Sequence, residues 1–398
     1  MKLLPLRAVP LLSLALISLA CRAQTQVEPP PEPLALPASA ASAASQPASM
    51  PDAELAKVEV QGESTARRER KTLEQLFDAE ALFKKHHALA PQAELKFKVY
   101  ARTQAEHQQK MNLALMTKQG RVPVPLDGDQ NFVIDPAWRQ MDPDTELRSK
   151  LLDGRVSWRA DVRTPGLPAN ERRLGDLRLQ CRVGFESGVA RSSLPLIVSK
   201  LLTPIVDPCD SRFTSGSNFA DRPVFAISLA HGERRVHVSQ LMLHQLAGGS
   251  DGKNFDWGFL LREQMFRLPF GDKRWPDDTR VVMEFADEPA KPADERLLNL
   301  PQKLAVAARA LQAGKTTADE ARELLGKKAH EFTFESGRRI ARYLEEVPAQ
   351  RLPDPAAEPG SGQTIKIDAS SLELVLLFDP EGRLMKYALY QMLPGGRW

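Results

Sequence analysis

The 398-residue chain has only three cysteines, too few for a disulfide-dense mini-protein and without the close pairing that a zinc site needs. It also lacks a large charge of one sign: 54 basic side chains oppose 51 acidic ones, a formal net charge of +3, which gives nucleic acid no electrostatic footprint to follow. No segment approaches the roughly 18 consecutive apolar residues of a membrane-spanning helix. Glycine is scarce beside proline, 23 against 31, a balance that points to extended linkers. The Gly-x-Ser-x-Gly elbow, the Walker loop, the Gly-x-Gly-x-x-Gly fingerprint and the His-Glu-x-x-His helix are all absent. No catalytic residue, cofactor or metal is therefore assigned, and a non-enzymatic role is expected, with an enzyme assembled from distant residues as the remote alternative. What is present is a 42% hydrophobic, 26% charged sequence, long enough for two or three domains with real cores.

Lys2 and Arg7 form a basic start, Ala8 to Ala20 is apolar apart from Pro10 and small serines, and Cys21 follows in Ile17-Ser-Leu-Ala-Cys21. About 13 residues rise only about 20 Å as a helix, short of the roughly 30 Å hydrocarbon core, so this is a secretion signal and not a permanent span. It resembles the bacterial lipoprotein signal, which implies a signal peptide over residues 1–20 and a lipid on Cys21. Ordinary cleavage after Ala23 is the alternative. In that family an Asp at the second mature position favours inner-membrane retention; Arg22 stands there, which implies the periplasmic face of the outer membrane, against a soluble periplasmic protein. Giving Cys21 to the lipid leaves Cys181 and Cys209, an even pair in an oxidising compartment, and one disulfide is expected between them.

Residues 21–53 are rich in Pro, Ala and Ser with few large apolar side chains, a tether able to reach up to about 90 Å if extended. Residues 54–286 read as a β-rich body. Thr72-Leu-Glu-Gln75 has capping-box spacing and opens an amphipathic helix from Leu73 to about Leu89, closed by Pro91. The period then changes to two at Leu95, Phe97 and Val99. Strands are predicted near Asn112–Thr117, Asn131–Ile134, Val156–Val162 and Leu177–Val183. Strands or short helices are predicted over Pro223–Leu229, Arg235–Leu243, Trp257–Leu268 and Thr279–Phe285. The segment GRVPVPLDGDQNF resembles a hairpin of the transthyretin-like or carboxypeptidase-regulatory β-sandwich type. No composition shift says whether the body is one domain or two, whereas residues 287–301 read as a linker.

Residues 302–398 are predicted as α-α-β-β-β-β: a helix over Leu304–Leu311, a second begun by the capping box Thr317-Ala-Asp-Glu320 and stopped at Gly326, then four strands with turns at Ser336-Gly337 and Asp379-Pro-Glu-Gly382. LQAGKTTADEARELLGK, FESGRRIARY and LELVLLFDPEGRL together resemble the SmpA/OmlA, or BamE-like, domain of outer-membrane lipoproteins. Gly314, Thr316, Leu325, Gly326, Tyr343, Phe378, Asp379 and Gly382 match its pattern in order. The resemblance implies a two-helix, antiparallel-sheet unit and a place among envelope proteins, the barrel-assembly machine being one candidate partner. There are departures: Lys327-Lys328 replace the usual proline, the expected Trp is absent, and a Pro-rich insertion from Glu345 to Gly362 is expected to split the sheet. The fold class expected overall is α+β.

Other constellations are weaker. His231, His237 and His244 are spaced by six and seven, which suits strand or surface histidines and no common metal motif. Asp127-Gly-Asp-Gln-Asn131 starts like a calcium loop, but Phe132 and Trp138 occupy the glycine and glutamate positions, so a hairpin turn is expected. Phe255, Trp257 and Phe259 share one face of an extended segment, either a buried strand or an aromatic interaction face. Lys327, Lys328, Arg338, Arg339 and Arg342 are read either as a solvated sheet face or as a basic patch for anionic headgroups or an acidic partner. The combined expectation is an outer-membrane-anchored periplasmic lipoprotein with a binding or scaffold role in envelope biogenesis; the alternative is a soluble periplasmic or secreted ligand- or glycan-binding protein.

Overall fold

The computed structural model describes residues 71–101, 111–149, 156–190, 209–210, 217–244, 262–268, 270–291, 294–326, 330–353, 364–367 and 369–392. Cys21, the tether, Phe255, Trp257, Phe259, Lys327 and Lys328 lie outside the described residues.

Local signals set the first element. Thr72 Oγ accepts from Gln75 N at 3.4 Å while Gln75 Oε1 accepts from Thr72 N at 3.1 Å, the reciprocal cap predicted for α1. It follows β1 (Lys71–Thr72), and α1 itself (Leu73–Lys85) buries Leu73, Leu76 and Ala79. A 3-10 turn, His87–Leu89, ends the segment before Pro91. β2 (Glu94–Ala101) alternates as predicted, with Phe97 and Val99 in the core. Then come β3 (Leu113–Thr117), β4 (Gly120–Val124), β5 (Asn131–Phe132), β6 (Glu146–Ser149) and β7 (Val156–Arg163). They form two antiparallel sheets, β1-β6-β3-β4 and β5-β2-β7.

β8 (Glu171–Arg173) runs directly into α2 (Leu174–Glu186), which corrects the strand predicted at Leu177–Val183. Alternation at Leu177, Leu179, Cys181 and Val183 imitates a strand, and the helical stripe is hidden because its inward position 178 is an arginine. Arg178 is buried by using its guanidinium on the 270–277 loop: it donates to Phe270 O (2.8 Å), Asp272 O (2.9 Å), Trp275 O (3.0 Å) and Asp277 Oδ1 (2.6 Å). The helix serves two cores. Leu179 and Val183 join the cluster of Leu73, Phe97, Leu115 and Trp158, whereas Leu174 and Leu177 join Ile227, Phe266, Trp275 and Val281. Its start fits closely: a Cβ on Gly175 would stand 2.1 Å from Leu89 O. Cys181 on α2 is disulfide-bonded to Cys209, as expected, with the two Cα atoms 5.7 Å apart.

The second half of the body has β9 (Ser217–Phe219), β10 (Val224–His231), β11 (Arg234–Val238), β12 (Met265–Arg267) and β13 (Arg280–Phe285). They pair antiparallel as β11-β10-β13-β8 and β12-β9. The Arg235–Leu243 segment, expected as a strand or short helix, is both: β11 stops at Val238, where Ser239 caps a 3-10 turn, Gln240–Met242.

The described part of residues 287–301, read from composition as a linker, carries contacts and a helical turn of its own. Arg222 pairs with Asp287 (2.6 Å) and Glu288 (2.9 Å), and α3 (Glu295–Leu298) follows, with Leu297 and Leu300 buried in the C-terminal core. α4 (Lys303–Ala310) and α5 (Ala318–Leu325) come next, α5 closed at its start by Thr317 and Glu320 as predicted. The strands are β14 (His330–Thr333), β15 (Arg339–Val347), β16 (Gln350–Pro353), β17 (Thr364–Ile367), β18 (Ser370–Phe378) and β19 (Leu384–Met392). The main sheet is an antiparallel meander, β14-β15-β18-β19. The 345–362 insertion leaves it whole: β15 and β18 stay in register from Arg339↔Phe378 to Val347↔Ser370, and the extra residues contribute to the separate β16-β17 hairpin. Gly382, at φ 82°, makes the β18-β19 turn that a Cβ would strain.

Alternation along β18 separates two environments. Leu372, Leu374, Leu376 and Phe378 pack under α4 and α5, while Val375 and Leu377, with Ile340, pack on Phe225, Ala226 and Ala286 of the body. Helices, sheet and body are thus stacked layers, and the architecture is α+β with antiparallel sheets.

Candidate functional site

A cleft of about 1090 Å³ opens above the β5-β2-β7 sheet. Its floor is the polar face of β2, the residues alternate to the core set: Glu94, Lys96, Lys98 and Tyr100. One wall is the 128–131 turn; the other includes Glu263 and, from the C-terminal sheet, Ser336 and Arg338. Five basic and five acidic side chains line it, so the site is charge-rich yet balanced.

Asp221, just before β10, holds the floor together. Arg163 grips its carboxylate with two parallel bonds (2.6 and 2.8 Å), and Lys98 donates to it from the next strand. Arg163 Nε also donates to Asp161 Oδ2 at 2.7 Å, and Arg172 Nη1 lies 3.5 Å from Asp161 Oδ1. Burial alone pushes the Asp221 carboxyl up, but the Arg163 and Lys98 cations outweigh it and hold it well below the usual carboxylate range. Burial, reinforced by Asp161 and Asp221, pushes the Tyr100 phenol far above its ordinary value. Asp221 is therefore ionised and Tyr100 neutral at neutral pH. At the mouth, Lys96 is half-exposed and 3.9 Å from Asp127, and Glu94 is exposed.

A second polar cluster lies between body and C-terminal sheet. Glu373 of β18 is completely buried and accepts from Ser239 Oγ (3.1 Å), Gln240 N (3.3 Å) and Arg342 Nε. His237 Nε2 lies 2.9 Å from Glu373 Oε2, and the His237 ring stacks on Tyr390 with centroids 3.6 Å apart. Burial raises the carboxyl, but His237 and Arg342 outweigh that and keep its pKa below the ordinary value. Ser, His and Glu are all present, yet the serine hydroxyl donates to the carboxylate and not to the imidazole. That arrangement gives no nucleophile–base pair; it ties β11 to β15 and β18.

Arg338 and Arg342 form neither the solvated sheet face nor the basic patch between which the sequence left the choice open. Arg342 is buried on Glu373, Arg338 pairs with Glu263 in the cleft wall, and the Arg339 guanidinium lies 5.7 Å from the Phe378 ring centroid. Alternation on β15 points residue 342 at the body, and a guanidinium there finds a carboxylate partner instead of solvent. The three histidines separate: His231 is exposed beside Asp278 (3.3 Å), His237 sits in the buried cluster, and His244 is buried, with Nδ1 2.9 Å from Arg262 O. Among the described residues no group of three His, Cys, Asp or Glu side chains is arranged to hold a metal. Asp127 makes a turn as expected, accepting from Asp129 N (3.0 Å) and Asn131 N (2.8 Å).

Sequence reading missed the cleft. The alternation of Glu94, Lys96, Lys98 and Tyr100 opposite the core residues of β2 was its one available signal; nothing local marks Asp221, which joins the floor only through tertiary structure. No family model, curated protein or solved structure matches the chain.

Proposed function

We propose that this protein is an outer-membrane-anchored periplasmic lipoprotein that works by binding, not catalysis, in cell-envelope biogenesis. The observation carrying the reading is the Cys181–Cys209 bond: it suits an oxidising compartment and leaves Cys21, at the end of the apolar signal, as the cysteine to be lipidated. The helix-helix-meander order of residues 302–398 supports a BamE-like module, and the body supplies the β-rich remainder. Because the inner face of the C-terminal sheet is taken up by the body, the binding role falls to the cleft, whose wall the module helps to build. The lipid and the tether raise local concentration at the membrane.

Envelope fractionation with crosslinking tests the proposal. Wild type sediments with outer membranes and crosslinks to envelope proteins there, while Cys21→Ser moves to the soluble periplasm and loses those crosslinks. Identical soluble behaviour of both forms would favour cleavage after Ala23 and a free ligand-binding protein instead.

A further inference from the structure

We propose that the cleft above the β5-β2-β7 sheet binds a short, extended peptide that carries charges of both signs. The inference deepens the binding reading above and does not depend on the lipid anchor.

The sign pattern of the floor carries it. β2 places Glu94 and Lys96 two residues apart on its open face, and the antiparallel register sets Arg163 opposite Glu94 and Asp161 opposite Lys96. At these two positions an acid is followed by a base along β2 and each faces the opposite sign across the pair, whereas the next residue on that face, Lys98, is a second base opposite Arg159. With five of each sign around the cleft, a polyanion or a polycation meets as much repulsion as attraction. An uncharged saccharide would strip water from these ionised groups and return no charge to any of them, an unfavourable exchange. A ligand bearing an ammonium or guanidinium and a carboxylate replaces that water on both signs.

Spacing selects the extended peptide. Side chains two apart on a strand recur about every 6.6 Å, the same repeat as alternate side chains of an extended ligand, so a basic residue facing Glu94 puts an acidic residue two positions on against Lys96. Those two groups are also the accessible ones. Lys98 is committed to Asp221, and Arg163 to Asp161 and Asp221, whereas Lys96 is 43% exposed at 3.9 Å from Asp127, and Glu94 has no ion-pair partner among the described residues. The volume, about 1090 Å³, lies just above the range of about 300–1,000 Å³ typical of small-molecule sites and leaves room for several residues.

The test is calorimetry on the full-length protein in detergent with the capped peptide Lys-Ala-Glu-Ala, capped tetra-alanine and chitotetraose. Binding of Lys-Ala-Glu-Ala at least tenfold tighter than tetra-alanine is expected, with at least a tenfold loss in the Glu94→Gln/Lys96→Gln double variant. Both replaced side chains stand at the mouth, so the Asp221 network and the fold stay intact, which circular dichroism verifies. Equal affinity for tetra-alanine, tighter binding of chitotetraose, or no peptide binding overturns the proposal. A lipidated protein that ignores the peptide contradicts this inference alone; an unlipidated one that binds it contradicts the anchor alone.

Discussion

Arg342→Met removes the guanidinium from the buried Glu373 cluster while keeping most of the aliphatic volume. In the native protein Glu373 is 0% exposed and Arg342 4%, so the carboxylate has no water to fall back on. His237, Ser239 and Gln240 N still face it after the substitution, but the permanent cation is gone. Breaking a buried ion pair from one side costs about 3–5 kcal/mol, because the surviving charge is left uncompensated. With a urea m-value of about 3 kcal/mol/M, the midpoint falls by roughly 1–1.7 M. The double variant Arg342→Met/Glu373→Gln removes both charges but keeps a side-chain carbonyl to accept from Ser239 and Gln240 N, and recovers most of the loss. The assay is equilibrium urea unfolding followed by tryptophan fluorescence. A single variant within about 0.5 kcal/mol of wild type, or a double variant worse than the single, would refute the reasoning.

Three further predictions concern other parts of the fold. Cys181→Ala/Cys209→Ala opens a loop with a sequence separation of 28 and lowers stability by about 3–4 kcal/mol on the chain-entropy model; unchanged urea midpoints for the variant and for reduced wild type would contradict this. Gly175→Ala puts a methyl 2.1 Å from Leu89 O, a backbone atom with no rotamer to yield, and costs about 2 kcal/mol or more, measured by the same unfolding; a neutral result means that the α2–Leu89 contact is looser than described. His244 is buried and its pKa is pushed down to about 4, so between that value and the ordinary value of about 6.5 the unfolded chain binds the extra proton and stability falls as pH drops. The loss from pH 7 to pH 5 is about 2 kcal/mol, present in wild type and absent in His244→Asn. Parallel pH profiles for the two proteins would remove His244 as the cause.

How much of this was legible varies with how local the signal is. The Thr72 and Thr317 caps, the β2 alternation and the Leu372–Phe378 strand are readable because each carries its own hydrogen-bond partner or period within a few residues. α2 was misread because a buried arginine interrupts its apolar stripe, and only the 270–277 loop, about ninety residues away, explains why a charge belongs there. The same limit applied to Arg338 and to Arg342 of β15. Composition marks residues 338–342 as basic, but whether they face solvent depends on Glu263 and Glu373, which come from other segments. The cleft was the least legible feature, since Lys98, Arg163 and Asp221 meet only after β2 has paired with β7 and the loop before β10 has been laid against them.

The central claim, a lipid-anchored binding protein, is tested most directly by mass spectrometry of the amino-terminal peptide of the protein purified from bacterial envelopes. Lipidation predicts a mature chain that begins at Cys21 and carries diacylglyceryl and acyl mass on it. An unmodified terminus at Gln24, left by cleavage after Ala23, would contradict the claim and leave a soluble periplasmic binding protein.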